Sequence, residues 1–270
     1  MTYRLHASAT TMTGRRKRNE DAYFLDPELG VFAVIDGMGG YAGGEIASSL
    51  AAETIGDFFH SLAVDPEGTW PYALDCGKSS AENRVDAALR LANRRIRQRR
   101  CGDVCTGDGP APLHYSLGSM GATVAMISLG ARGAVLGHLG DSRIYRLRGR
   151  GSASPRLEQL TRDHSLYEQL LEGGVDLPPL EEFAHSNVVT RALGPAEDER
   201  PELNRIDLCV GDRFLLCTDG LTGSLDHGQL AALLDRAPID EASALLAEAA
   251  FDAGSRDNIT VIVVDVARSA

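Results

Sequence analysis

The sequence has little positive charge and lacks long apolar runs. Its 27 lysine and arginine residues face 38 aspartate and glutamate residues, so the formal net charge at pH 7 is −11. A nucleic-acid-binding surface needs a basic face, and this balance argues against one. No apolar run approaches the roughly 18 residues of a membrane span, and residues 1–24 lack the apolar stretch of a signal peptide. We therefore expect a cytoplasmic protein with no nucleic-acid or membrane partner.

Cysteine is scarce as well, with 5 residues in a chain of 270. Their number is odd and their spacing matches no metal site, which disfavours both a disulfide framework and a cysteine-bound zinc. Cys209 and Cys217 lie in apolar surroundings and are predicted to be core residues. Cys101 and Cys105 belong to a stretch rich in Gly, Pro and Asp at about 101–119, which we interpret as a loop insertion.

Apolar strand-like runs occur in groups, separated in several places by glycine-containing turns that indicate antiparallel hairpins. The runs cover 22–25, 31–35, 121–129, 134–139, 142–147, 203–208, 213–217 and 259–266. Amphipathic helical stretches lie at 45–62, 80–100 and about 240–251. Because strands and helices come in blocks and do not alternate, the sequence predicts a layered α+β fold.

Four aspartates stand at the ends of apolar runs. Asp36 follows VFAVI, Asp141 follows AVLGHLG, Asp219 follows RFLLCT, and Asp257 precedes NITVIVV. Any one of them could be a turn residue, because Asp-Gly is a favoured hairpin turn. Four aspartates at the ends of buried strands also fit a binding site in which several carboxylates lie close together.

The first of these aspartates opens a glycine-rich segment, which contains Gly37, Gly39, Gly40, Gly43 and Gly44. Such a loop lets the backbone approach a ligand closely before the next helix begins. It lacks the lysine and spacing of a Walker loop. Carboxylates beside a free carbonyl suit an oxygen-ligated cation such as Mg²⁺ or Mn²⁺, and zinc is a poor choice.

The segment GRRKRNEDAYF joins a basic cluster to an acidic pair directly before a strand. Taken alone, it is typical of a solvated, salt-bridged surface. Beside a carboxylate-bound metal, an arginine such as Arg16 can bind a phosphate bidentately, and Glu20 and Asp21 can hold metal-bound waters.

Eight segments follow one another along the chain: GRRKRNEDA, VIDGMGGYAGGEIAS, MGATV, GHLGDSRIYRL, LTRDHS, VVTRALG, LLCTDGLTG and SRDNITVIVV. They run from Gly14 to Val264 and so cover nearly the whole chain. In this order they resemble the motifs of the metal-dependent protein phosphatases, the type 2C Ser/Thr phosphatases, in their compact bacterial form.

The resemblance implies a four-layer α-β-β-α sandwich of two antiparallel sheets flanked by helices. It also implies one catalytic domain over residues 1–270, with a flap at about 165–187 that gates substrate access. Two Mn²⁺ or Mg²⁺ ions are expected per site. Asp36 would bridge both metals, the Gly37 carbonyl would complete one of them, and Asp219 and Asp257 would bind the other.

The remaining site residues take supporting roles in this scheme. Asp141 would help to hold a third, weaker metal, as in several bacterial relatives, and Glu20 and Asp21 would act mainly through bound waters. Arg16 would bind the substrate phosphate, and Asn258 would orient Asp257 and its waters.

The implied reaction is the hydrolysis of phosphoserine and phosphothreonine in proteins. A hydroxide bridging the two metals attacks phosphorus in line, and Arg16 and the metals stabilise the charge on the equatorial oxygens. Met38 occupies the position of a histidine that is the proposed general acid in some relatives. The acid is therefore unassigned, with a metal-bound water as the candidate. His138 and His164 are predicted to be structural.

Other functions stay open at this stage. A pseudophosphatase would bind phosphoproteins without turnover, although the presence of Arg16 and all three central aspartates argues against it. A phosphatase of small-molecule phosphate esters would use the same chemistry. A calcium-binding domain is disfavoured because no Asp-x-Asp-x-Asp loop with a closing Glu is present. By analogy alone, the expected partners are phosphorylated substrates of a Ser/Thr kinase, and a monomer is expected.

Overall fold

Two antiparallel five-stranded sheets form the centre of the molecule. The computed structural model describes residues 3–39, 43–66, 68–102 and 120–269. The strands are β1 (Tyr3–Met12), β2 (Asp21–Asp26), β3 (Val31–Met38), β4 (Gly121–Gly130), β5 (Gly133–Leu139), β6 (Arg143–Arg148), β7 (Arg156–Gln159), β8 (Glu202–Ile206), β9 (Arg213–Cys217) and β10 (Ile259–Arg268). The first sheet has the order β1-β10-β9-β6-β7, and the second has the order β2-β3-β4-β5-β8.

The helices lie on the outer faces of the sheets. They are α1 (Gly43–Val64), α2 (Ser80–Gly102), α3 (Leu166–Glu172), α4 (Asp219–Thr222), α5 (His227–Arg236) and α6 (Ile239–Asp252), with a short 3-10 turn at Leu180–Glu182. Buried residues of α1 and α2 pack with the β2-β3-β4-β5-β8 sheet, and those of α5 and α6 pack with the other sheet. The predicted four-layer sandwich is confirmed.

Strand periodicity explains how one apolar run contributes side chains both to the core between the sheets and to the core beneath the helices. In β3, Phe32 and Val34 belong to the core between the sheets, whereas Val31, Ala33 and Ile35 face α1 and α2. Successive side chains of a strand point to opposite faces, so a strand covered on both sides must be apolar throughout. Strand β10 follows the same rule, which accounts for its run ITVIVV.

Several sequence-based predictions differ from the structure. Strands β1 and β7 and helices α4 and α5 were not predicted. Cys217 is buried as predicted. The prediction for Cys209 is wrong, because this residue is exposed in the connection between β8 and β9. The predicted insertion at 101–119 contributes its first two residues to α2, and its other residues lie outside the described ranges.

Candidate metal centre

A cavity of about 840 Å³ opens at one end of the sandwich. Its lining includes nearly all the residues that the sequence singled out: Arg16, Glu20, Asp36, Gly37, Asp141, Asp219, Asp257 and Asn258. Asp21 is absent from that lining; its Oδ1 is buried, and its Oδ2 accepts a hydrogen bond of 2.9 Å from the Thr218 hydroxyl. The chain thus brings together groups that are more than 200 residues apart in sequence.

Both sheets supply aspartates to this cavity. Asp36 is near the end of β3, and Asp141 follows β5 after one glycine. On the other sheet, Asp219 is the first residue of α4 and follows β9 after one threonine, and Asp257 comes two residues before β10. Because β9 and β10 are neighbours and β3 faces them across the core, these strand ends converge.

Burial at the cavity makes it unfavourable for its aspartates to be ionised. Burial, reinforced by repulsion from Asp219, raises the pKa of Asp141 to about 7. Burial also raises the pKa of Asp21 to about 7, although hydrogen bonds from Thr260 and Thr218 oppose the change. The pKa values of Asp36 and Asp219 are raised too, first by burial and then by neighbouring carboxylates. Such a group of carboxylates needs a compensating cation to be ionised together.

Unpaired oxygen atoms fit the same conclusion. Within the described residues, three buried side-chain atoms lack a hydrogen-bond partner, and two of them are Asp21 Oδ1 and Asp219 Oδ1. A buried carboxylate oxygen without a donor is costly unless it binds something else. The donor set consists of carboxylate and carbonyl oxygens, which is the set preferred by Mn²⁺ and Mg²⁺. The residues present therefore fit a divalent metal centre.

Close backbone packing positions the Gly37 carbonyl and Glu20. The Gly37 amide donates to the Glu20 carbonyl at 3.1 Å. A Cβ added at Gly44 would lie 2.5 Å from Glu20 Oε2 and 2.7 Å from the Gly37 carbonyl oxygen, so a side chain there would displace both. This close approach explains two of the glycines in the glycine-rich segment; its residues 40–42 lie outside the described ranges.

Arg16 lies on the loop after β1, at the rim of the cavity. Its Nη2 donates to Asp257 Oδ2 at 2.5 Å, and 58% of its side chain is exposed. The guanidinium is thus oriented by a carboxylate of the cavity while most of its donors stay accessible. This arrangement suits a group that receives a phosphate from solvent.

Asn258 holds the Arg16 loop in place. Its Oδ1 accepts from the Glu20 amide, and its Nδ2 donates to the carbonyls of Thr13 and Arg18, each at 2.8 Å. The predicted link to Asp257 runs through the Asn258 backbone amide, which donates to Asp257 Oδ1 at 2.8 Å. The side chain itself serves the loop, and this role was not predicted.

Three further residues at the cavity received no role from the sequence. Thr123 on β4 lines it, and the Thr123 and Ser142 hydroxyls are 2.7 Å apart next to Asp141. Asn187, at the end of the flap, and Val189, shortly after it, also line the cavity. Thr123 lies within the MGATV motif, so its motif membership was the available signal.

A second group of possible ligand atoms lies outside this cavity. Atoms of His138, His164 and Glu202 lie within 4.8 Å of one another, and the two rings stack at a centroid distance of 4.4 Å. However, His164 Nδ1 accepts a hydrogen bond from the Gly140 amide at 3.1 Å. A neutral ring in this state carries its proton on Nε2, which then cannot bind a metal. We therefore interpret this group as structural, and the prediction for both histidines stays a prediction.

Comparison with known proteins defines the family. A family model described as Protein phosphatase 2C matches residues 12–249. This chain belongs to the protein phosphatase 2C family. The serine/threonine protein phosphatase PstP of Mycobacterium tuberculosis is 31% identical over 255 residues, which are 93% of this chain and 43% of that protein. This chain thus spans less than half the length of PstP.

Nearly full-length matches are found with a second relative and with the isolated catalytic domain of a PstP. Protein phosphatase PhpP of Streptococcus pneumoniae is 29% identical over 269 residues, 97% of this chain and 98% of that protein. The crystal structure of the PstP catalytic domain in complex with two manganese ions has a TM-score of 0.76 and 29% identity, and the match covers 99% and 100% of the two chains. The predicted family is confirmed, and two manganese ions in a relative agree with the predicted cofactor.

Proposed function

We propose that this protein phosphatase hydrolyses phosphoserine and phosphothreonine in proteins, using two Mn²⁺ or Mg²⁺ ions at the carboxylate cavity. The observation that carries the proposal is the convergence of Asp36, Asp219 and Asp257 from two sheets beside an accessible Arg16. The names of PstP and PhpP support the activity and the class of substrate.

Different residues of the chain would bind the metal ions and the substrate phosphate. Asp36, Asp219, Asp257 and the Gly37 carbonyl would hold the two ions, with Asp141, Glu20 and Asp21 in support. When bound, the ions would supply a water of lowered pKa and positive charge next to the phosphoryl group. Arg16 binds the non-bridging phosphate oxygens with its free donors, and Asp257 keeps its guanidinium turned toward the cavity. Met38 has no proton to donate, so the general acid stays unassigned among the side chains, and a water in the cavity is the candidate.

The first test measures turnover of p-nitrophenyl phosphate and of a phosphothreonine peptide, with Mn²⁺ and with EDTA. We expect hydrolysis of both substrates that needs the metal and is lost in EDTA. Preference for the peptide would separate a protein phosphatase from a phosphatase of small esters. A folded sample that binds Mn²⁺ and turns over neither substrate would favour the pseudophosphatase instead.

Replacement of Arg16 by alanine is expected to raise KM for p-nitrophenyl phosphate about tenfold, with a smaller loss in kcat, because a charge-assisted contact to the ground-state phosphate disappears. The matched control is Arg15→Ala. This substitution removes the same charge from the same loop. The Arg15 guanidinium, however, lies over the Phe251 ring, 5.7 Å from its centroid. Equal effects of the two substitutions on KM would show that Arg16 acts only through the net charge of the loop.

Finer predictions accompany this proposal and stay predictions. They are the use of Mg²⁺ in place of Mn²⁺, a signalling role against a Ser/Thr kinase, a cytoplasmic location, a monomeric state, and a single catalytic domain with a flap at about 165–187. Among the described residues, no helix has the length and apolar character needed to cross a membrane.

A further inference from the structure

Two short backbone segments, residues 165–166 and 187–189, join the flap to the rest of the protein beside the catalytic cavity, and we call them the stem. Ser165 forms a β-bridge with Val189, and the Leu166 amide donates to the Val188 carbonyl at 2.8 Å. Asn187 and Val189 of this stem also line the cavity. The position of the stem therefore determines one wall of the space that a substrate enters.

One residue, His164, connects this stem to the turn that carries Asp141. The His164 amide donates to the Gly140 carbonyl at 2.8 Å, and the Gly140 amide donates back to His164 Nδ1 at 3.1 Å. On its other side, the His164 carbonyl accepts from the Thr190 amide at 2.8 Å and from the Thr190 hydroxyl at 3.1 Å. Gly140 and Thr190 are thus held from opposite sides by the same residue.

The surroundings of the ring keep it in one state. His164 Nε2 donates to Glu202 Oε2, 3.1 Å away, while one face of the ring stacks on His138. Arg191 donates to Glu199 Oε1 through its Nε and Nη2, at 3.0 and 2.9 Å, and its Nη1 lies 3.2 Å from His164 Nε2. The side chain of His164 is only 10% exposed. Burial and the neighbouring His138 lower the pKa of His164, so the ring stays neutral and Nδ1 stays an acceptor near pH 7.

We propose that His164 is a positioning residue for protein substrates, because it sets the distance between the flap stem and the Gly140–Asp141 turn. This inference rests on the proposed phosphatase function. A phosphopeptide must pass the stem to reach the cavity, whereas p-nitrophenyl phosphate needs little more than the metal ligands and Arg16. The central aspartates lie on β3 and beside β9 and β10, and the hydrogen bonds of His164 go to Gly140, Thr190 and Glu202 instead. Loss of the His164 contacts should therefore weaken peptide binding more than small-ester hydrolysis.

The test compares His164→Leu with His164→Asn in the whole protein loaded with Mn²⁺. Leucine removes the acceptor for the Gly140 amide, whereas the asparagine Oδ1 takes the place of Nδ1. We expect His164→Leu to raise KM for a phosphothreonine peptide about tenfold, and to leave KM and kcat for p-nitrophenyl phosphate within about twofold. His164→Asn should restore most of the peptide KM. Amide hydrogen exchange should become faster at residues 165–190 in His164→Leu and return toward wild type in His164→Asn.

Equal losses on both substrates, or an asparagine variant no better than leucine, would overturn the inference. If His164→Leu does not fold, Thr190→Val removes one hydroxyl donor to the His164 carbonyl with little change in shape. Thr190→Val should also raise KM for the peptide more than KM for p-nitrophenyl phosphate, but by a smaller factor. Equal losses on both substrates would again overturn the inference. A wild-type protein without turnover on either substrate would contradict the proposed function instead.

Discussion

Replacing Asp219 by asparagine is expected to lower kcat/KM at least about a thousandfold, the scale on which removal of a preorganised charge acts at a reacting centre. The substitution keeps the shape of the side chain and removes one negative charge from the metal centre. Because Asp219 Oδ1 is buried and unpaired, the lost charge has no substitute among the described residues. The measurement is Mn²⁺-dependent turnover of p-nitrophenyl phosphate by the two proteins.

The same variant should be more stable than wild type when the metal is removed with EDTA. Burial raises the pKa of the Asp219 carboxyl, and Asp257 adds to the effect. A carboxyl with a raised folded pKa stabilises the fold at low pH, and this contribution is lost as the pH rises through that pKa. At neutral pH the asparagine avoids this loss. We therefore expect a higher Tm in EDTA and a smaller rise in Tm when Mn²⁺ is added.

Asp226→Asn is the matched control for this prediction. Asp226 caps α5 by accepting from the Gln229 amide, and asparagine caps a helix equally well. The control thus makes the same change of charge without touching the metal centre, and its activity and its gain in Tm with Mn²⁺ should match wild type. Full activity in Asp219→Asn, or an unchanged stabilisation by Mn²⁺, would refute the assignment of Asp219 as a ligand.

Central strands could be predicted from the sequence because burial on both faces makes them continuously apolar. The two strands that were missed, β1 and β7, are the two edges of one sheet. An edge strand is less covered and carries polar residues, as YRLHASATTM in β1 does. Helix α5 had a usable signal, since Asp226 and Gln229 form a capping box.

The candidate site was predicted from aspartates at strand ends, but their partners required the fold. Arg16 and Asp257 are 241 positions apart, and no local pattern indicates that they meet. A similar limit applies to Arg213, which begins an apolar strand. Its fully buried guanidinium is satisfied by Asp265 and by the carbonyls of Leu234 and Ala237. Such polar contacts in the core depend on which elements become neighbours, and this follows from topology.

Asn258 illustrates the consequence for function, because one side chain supports the whole Arg16 loop. Replacing it by leucine is expected to lower kcat/KM about a hundredfold, the scale of a misplaced catalytic group. The Glu20 amide and the carbonyls of Thr13 and Arg18 would lose their partners. At about 1–3 kcal/mol for each unsatisfied buried group, reduced by access to water, the loss in stability should be about 2–4 kcal/mol. Thermal unfolding should show Tm lower by roughly 5–10 °C.

A double-mutant cycle separates loop positioning from general destabilisation. If Asn258 acts through Arg16, then Arg16→Ala should cost much less activity in the Asn258→Leu background than in the wild-type background. The control Asn204→Leu, at an exposed position of β8, should leave both activity and the effect of Arg16→Ala unchanged. Additive losses would mean that Asn258 supports stability alone, and that Arg16 keeps its position without it. Strong non-additivity would show that the phosphate-binding arginine depends on a side chain 242 positions away, through contacts that the carboxylate pattern alone does not contain.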